Sequence, residues 1–276
     1  MHKTVSSGRL WSHVAGLLCV AAMAGCVGPG PLPPALPASQ VVDAVDERAG
    51  RFYTLKDTDI GMRIQTPGGR SPGIGGILVY DRLLPGLWLR GEKLMRLVFS
   101  LKALGTRFWL AIPHTREVLT GGPVAYARIP FLLRPGEVER MLAGPDGLGL
   151  TWPGTEMDVD GDFYRFEVPV LGGRYAQILV DRRDLVVRVI RRYDPAGRVT
   201  AEMHLDDYKE VDGRPFPRTL TVLRLDGRIR MRLKLGNPEL NAPLAPEIFK
   251  PRSRPGWRVI DLDSQPLSDA KAFTGE

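Results

Sequence analysis

Few side chains in this sequence are of a type and spacing that could do chemistry. Of four histidines, only His114 and His204 lie beyond the first 26 residues. They are far apart, His114 after a proline at a strand end and His204 inside an alternating run. Neither has a second histidine or a cysteine at ligand spacing, so no zinc site is indicated. No G-x-S-x-G elbow offers a nucleophile. The sharpest cation candidate is Glu156-Met157-Asp158-Val159-Asp160-Gly161, with Glu167 at the twelfth position. That is the spacing of a calcium loop with Glu in its first place. Such a loop needs a helix on each side, whereas Trp152-Pro153-Gly154 precedes it and an alternating run follows. A β-hairpin turning at Asp160-Gly161 accounts for the same residues. Gly68, Gly69, Gly73, Gly75 and Gly76 lack the lysine and following helix of a phosphate loop and read as a loop between strands. The expectation is a protein with no catalytic residues, no metal and no cofactor, hence not an enzyme.

Cys26 has a different context. Lys3 and Arg9 precede an apolar run from Val14 to Ala24, followed by Gly25 and Cys26. A charged start, a short apolar stretch and small residues at a cut site make up a secretory signal over 1–25. About eleven apolar residues are too few to cross a hydrocarbon core of about 30 Å. Met23-Ala24-Gly25-Cys26 resembles the lipobox of bacterial lipoproteins, which implies cleavage before Cys26 and acylation of its thiol. Cys19 leaves with the signal, so no intramolecular disulfide can form and stability must come from a core.

The formal net charge is +7, supplied mostly by arginine. The arginines alternate with apolar residues along the chain and form no basic helix, so no nucleic-acid partner is expected. They read as a solvated sheet face, with attraction to anionic headgroups as a secondary meaning.

Val27 to Ala38 is dense in proline and uncharged. Extended polyproline at about 3.1 Å per residue makes 26–38 a tether of about 35 Å. Ser39 then reads as an N-cap. Val41, Val45, Phe52 and Leu55 recur near helical spacing, which predicts a helix ending near Leu55. From Asp57 the period becomes two: Ile60, Met62 and Ile64, then Leu87 and Leu89, then Leu97, Phe99 and Leu101. Arg228 to Leu235 alternates four basic with four apolar residues, a half-buried antiparallel strand. Asp160-Gly161, Asp212-Gly213 and Asp226-Gly227 mark hairpin turns. A helical island lies near Pro135–Leu142, closed by Gly144, and a polar extension covers 256–276. The sum is a mainly β (α+β) chain: an N-terminal helix, about ten strands in hairpin succession and a short inserted helix.

The apolar strand positions admit two roles. Met62, Leu97, Phe99, Phe108, Tyr164, Phe166, Val168, Met203, Met231 and Leu233 can fill a core or line a cavity for a flexible apolar ligand. The turn with Leu83, Leu84, Leu87 and Trp88 reads as core at a strand junction, or as a protruding loop with Leu84 at its tip that touches membrane or client.

Gly76-Ile77-Leu78-Val79-Tyr80-Asp81-Arg82, Leu87-Trp88-Leu89-Arg90, Val98-Phe99-Ser100-Leu101, Phe108-Trp109-Leu110-Ala111-Ile112-Pro113, Val118-Leu119-Thr120-Gly121-Gly122, Phe216-Pro217-Arg218-Thr219-Leu220, Asn241 and Phe249-Lys250-Pro251 follow one another along the chain. Together these stretches resemble the LolA/LolB-type lipoprotein carriers. The resemblance spans about Gln40 to Pro251, within a domain of 39–255. It implies an unclosed antiparallel half-barrel with a helical lid, around a cavity for acyl chains of lipids or lipoproteins. It also implies a lipid-anchored position in the bacterial envelope, at the outer membrane facing the periplasm, and a role in lipid or lipoprotein transfer. The alternative is a lipoprotein that holds no lipid and joins an envelope protein partner.

Overall fold

The computed structural model describes residues 30–49, 52–123, 125, 133, 135–142, 144–170, 174–225 and 228–264. Contacts divide the chain at Pro34. Of the first unit, residues 30–34 are described and have no regular secondary structure. Cys26 lies outside the described residues.

The second unit begins with helix α1 (Ala38–Ala49), whose Val41 and Val45 are buried. Then come β1 (Thr54–Thr66), β2 (Gly69–Arg70), β3 (Ile74–Asp81), β4 (Gly86–Lys93), β5 (Arg96–Leu104), β6 (Arg107–Ile112) and β7 (Glu117–Gly121). Helices α2 (Pro135–Leu142) and α3 (Pro145–Leu148) interrupt. The second run holds β8 (Glu156–Asp160), β9 (Phe163–Val170), β10 (Arg174–Asp181), β11 (Val187–Tyr193), β12 (Val199–Val211), β13 (Arg214–Arg224), β14 (Ile229–Leu235) and β15 (Glu239–Leu240). A 3-10 turn at Pro246–Phe249 and β16 (Arg258–Asp261) end the described chain.

All sixteen strands join one open sheet. β1 is its seam, paired with β3 on one side and β14 on the other, so two meanders meet there. β16 and β8 stand at the two ends of the strand path, and the sheet does not close on itself. The alternation read in the sequence dictates the layering. In β14, Ile229, Met231, Leu233 and Leu235 face in while Arg230, Arg232 and Lys234 face out. One apolar core cluster runs along the inner face and takes in α1.

Four details differ from the sequence reading. The first helix stops at Ala49 and Leu55 lies in β1, because a glycine follows Ala49 and the apolar spacing beyond it is that of a strand. The strands number sixteen and not about ten; of the surplus, β2 and β15 are two-residue ladders off β1 that no periodicity can reveal. Residues 258–261, read as polar extension, pair in parallel with β7. Leu36, read as tether, packs against the core and donates its N–H to the buried Tyr164 hydroxyl at 2.8 Å. The turn residues Asp226 and Gly227 lie outside the described residues; β13 and β14 on either side pair in the expected register.

Asp57 sits at an irregularity of β1, where the register with β3 shifts before Ile60. Its carboxylate is fully buried and accepts the N–H of Asp59 at 2.8 Å and of Asn237 at 3.2 Å. Burial raises its pKa, more than these bonds and the nearby Arg218 lower it. A carboxyl that titrates above 3.8 in the fold gives stability that is complete below that value and lost as pH rises through the raised one. Asp57→Asn keeps an acceptor without the charge. Its stability relative to the native chain should therefore improve from about pH 4 to about pH 7. Urea denaturation at both pH values checks this, and a relative loss contradicts it.

Candidate functional site

An apolar cavity of about 200 Å³ lies on the inner face of the first meander. Met62 and Ile64 of β1, Leu89 of β4, Val98, Phe99 and Leu101 of β5, Leu110 and Ile112 of β6, and Met231 of β14 form its wall. Leu133, almost wholly buried, comes from between β7 and α2. All ten lining side chains are apolar, so the site offers burial and no general acid, base or nucleophile. Met231, Met62, Leu89, Leu101 and Leu110 form the buried floor, while Ile64, Phe99 and Ile112 are partly exposed and Val98 is exposed.

Of the residues singled out from the sequence, Met62, Phe99 and Met231 line this cavity. Phe108, Tyr164, Phe166, Val168, Met203 and Leu233 sit in the packed core, each no more than 3% exposed. Leu97 faces away, into a groove on the outer sheet face. A register shift between Gly91 and Glu92 causes this: Phe99 pairs with Gly91 and Leu97 with Glu92, leaving Val98 as an extra residue in β5. The extra residue breaks the period of two, so Val98 joins Phe99 on the inner side. Ile64, Leu89, Leu101 and Leu110 share the alternation that marked Met62, and that signal could have found them. Nothing in the sequence marks Val98 or Leu133.

The open rim and one turn lie at the same end of the sheet. Register carries Gly61 through Gly75 to Glu92, and Ile64 lies three residues further along β1 in the direction of the β4–β5 turn. That turn is Leu94-Met95, 88% and 97% exposed, with φ of 49° and 61°. Two successive positive φ values make a type I′ hairpin turn, for which Asn-Gly is the favoured pair. Exposed Lys93 and Arg96 flank it. The turn read as a candidate contact loop lies at the other end of β4, about 25 Å away at about 3.3 Å per residue. There Leu83 is 73% exposed and Leu84 37%, but Leu87 is buried and Trp88 lies on the outer face. Asp81 holds this turn by accepting the N–H groups of Leu83 and Leu84.

The other candidates have structural partners. Glu156, Asp158 and Asp160 lie on β8 and Glu167 on β9, in a hairpin turning at Gly161 (φ 56°). Arg165 pairs with Asp158 at 2.8 Å and Asp160 at 3.3 Å. His204 contacts Glu202 at 3.0 Å, and Glu202 also accepts from Arg191. A second space beneath α1, between Val45, Phe52 and Phe216, measures only about 40 Å³.

Neither a protein-family model nor a curated protein sequence matches this chain. Solved structures do. A LolA superfamily protein from Nitrosomonas europaea matches with a TM-score of 0.53 at 12% identity, over 79% of this chain and 99% of that one. A domain from Vibrio parahaemolyticus assigned to outer membrane lipoprotein sorting matches with 0.51 at 13% identity, over 77% and 94%. A DUF1329 family protein from Desulfovibrio piger matches with 0.54 at 12% identity, over 77% and 95%. These likenesses, with the open antiparallel sheet and its N-terminal helix, show that the chain has a LolA/LolB-like fold.

Proposed function

We propose that this chain is a lipid-anchored envelope protein that takes a segment of an acyl chain into the β1/β4–β6/β14 cavity and passes it on without chemistry. The observation that carries this reading is the wholly apolar lining of that cavity, beside a rim that opens to solvent. Size sets what it holds. A cavity of about 150 Å³ takes up benzene, so about 200 Å³ accommodates about eight methylenes of one chain. At about 0.8 kcal/mol each, these give at most about 6.4 kcal/mol, or a Kd of tens of micromolar. Such an affinity lets a chain leave water and still be handed to a more apolar acceptor. The cavity has room for one chain segment, not for several whole chains together.

The Leu94-Met95 tip serves as the contact point with membrane or client. Apolar side chains at positive φ in full solvent contradict both local preference and burial, the kind of conflict that marks functional sites. Lys93 and Arg96 would meet anionic headgroups while the tip enters the interface. The double change Leu94→Asn, Met95→Gly should therefore raise stability by about 1 kcal/mol or more. It should also weaken co-sedimentation of the mature Cys26→Ser chain with phosphatidylglycerol vesicles. Unchanged sedimentation contradicts the role of the tip.

Cys26 would hold the protein at its membrane, with the outer membrane favoured by the sorting-type fold. The resemblance of residues 23–26 to a lipobox supports the anchor. Native mass spectrometry of the mature chain, with extraction of bound lipid, tests the function. A co-purifying phospholipid or acylated peptide supports it; a bare protein mass with no uptake of a fluorescent fatty acid defeats it. One observation favours the second reading, a lipoprotein that joins an envelope protein partner: the inner face of β9–β13 is filled by Tyr164, Phe166, Met203 and Leu220.

A further inference from the structure

The outer face of β4–β6 carries a groove of about 310 Å³, roofed by the segment that follows the 3-10 turn. Register builds its floor: Lys102 of β5 pairs with Trp88 of β4 and with Trp109 of β6, so one lysine stands between two indoles. Its ammonium lies 5.4 Å from the Trp88 ring centre and donates to the Lys250 carbonyl at 2.8 Å. Arg90 lines the same groove, and Arg252 and Arg254 reach it from the roof. No carboxylate is among the lining side chains. Arg90 pairs with Glu92 at the margin, yet its buried Nε has no hydrogen-bond partner. Arg252 has no ion-pair partner among the described residues. Burial foremost, and then the two roof arginines, lower the pKa of Lys102, and the Arg254 guanidinium also stacks 4.4 Å from the Trp257 ring centre.

Gathering cations in a partly desolvated groove is costly unless something negative joins them. From this groove we infer a binding site for a phosphate-bearing anion, held by Lys102, Arg252 and Arg254 between Trp88 and Trp109. Guanidinium forks match tetrahedral oxyanions bidentately, and the indole walls suit a small carbon group attached to the phosphate. The site is independent of the acyl cavity. Ser100 and Lys102 point to one side of β5, Phe99 and Leu101 to the other, so the sheet separates the two sites.

Calorimetric titration of the full chain at low salt tests the site with two probes that carry no acyl chain, inorganic phosphate and the headgroup fragment glycerophosphoglycerol. Arg252 is exposed and Arg254 partly so, and their thermal transitions should survive change to glutamine. The expected result is saturable binding that Arg252→Gln and Arg254→Gln each weaken by about fivefold or more, and that Phe99→Ala leaves unchanged. Binding of both probes at similar strength assigns the site to free phosphate compounds. Binding of glycerophosphoglycerol alone, with glycerophosphocholine inert, assigns it to a lipid headgroup. No saturable heat with either probe, or binding indifferent to both arginine changes, overturns the site.

Discussion

Phe99→Glu is expected to weaken uptake of a fluorescent fatty acid by about 15- to 60-fold while leaving the chain folded. Phe99 is partly exposed at the cavity rim, so a glutamate there keeps its charge in water and the core loses little. Its carboxylate keeps its water and denies the ligand the rim. Two or three methylenes left hydrated, at about 0.8 kcal/mol each, amount to about 1.6–2.4 kcal/mol. Titration of the fatty acid, with circular dichroism as the folding control, reads the effect. Affinity within twofold of the native chain contradicts the pocket. Phe166 is no substitute in this test: at 1% exposure in the core, a charge there would unfold the chain and report nothing about binding.

Gly76→Ala is the substitution with the largest expected cost in stability, about 3 kcal/mol or more. A Cβ at Gly76 would stand 1.8 Å from the Arg90 carbonyl oxygen and 2.9 Å from its carbon. Both atoms belong to the backbone of β4, so relief means pulling β3 from β4 where Gly76 faces Gly91. Ladder hydrogen bonds beneath the cavity wall would go with it. Gly73→Ala is the matched control, because a Cβ there meets nothing within 4 Å. Urea denaturation should separate the two by several-fold in stability change. Equal effects would mean that the β3–β4 contact is looser than described.

The sheet was legible because its alternation is strong where one face is wet. The run from Arg228 to Leu235 specifies both strand and orientation by itself, and β14 follows it from Ile229 onward, with Arg228 in the turn at a φ of 49°. The site was less legible because its shape depends on breaks in that rule. One extra residue in β5 turns Leu97 outward and Val98 inward, and no residue type announces it. The β4–β5 turn carries leucine and methionine where glycine and asparagine would have signalled a hairpin. Core and cavity positions use the same apolar residues, so the split between Met231 at the cavity and Leu233 in the core rests on what packs opposite each. Trp88 was noticed for its neighbours in a turn, but its partners Lys102 and Trp109 come from pairing across strands.

The most direct test of acyl binding is photo-crosslinking with a fatty acid that carries a diazirine at its terminal carbon. If the chain enters tip first, peptide mapping should place the label on the cavity floor, at Leu89, Leu110 or Met231, and unlabelled fatty acid should compete it away. Label on the outer groove at Trp88 or Trp109, or scattered label that excess fatty acid does not reduce, would contradict acyl binding in this cavity.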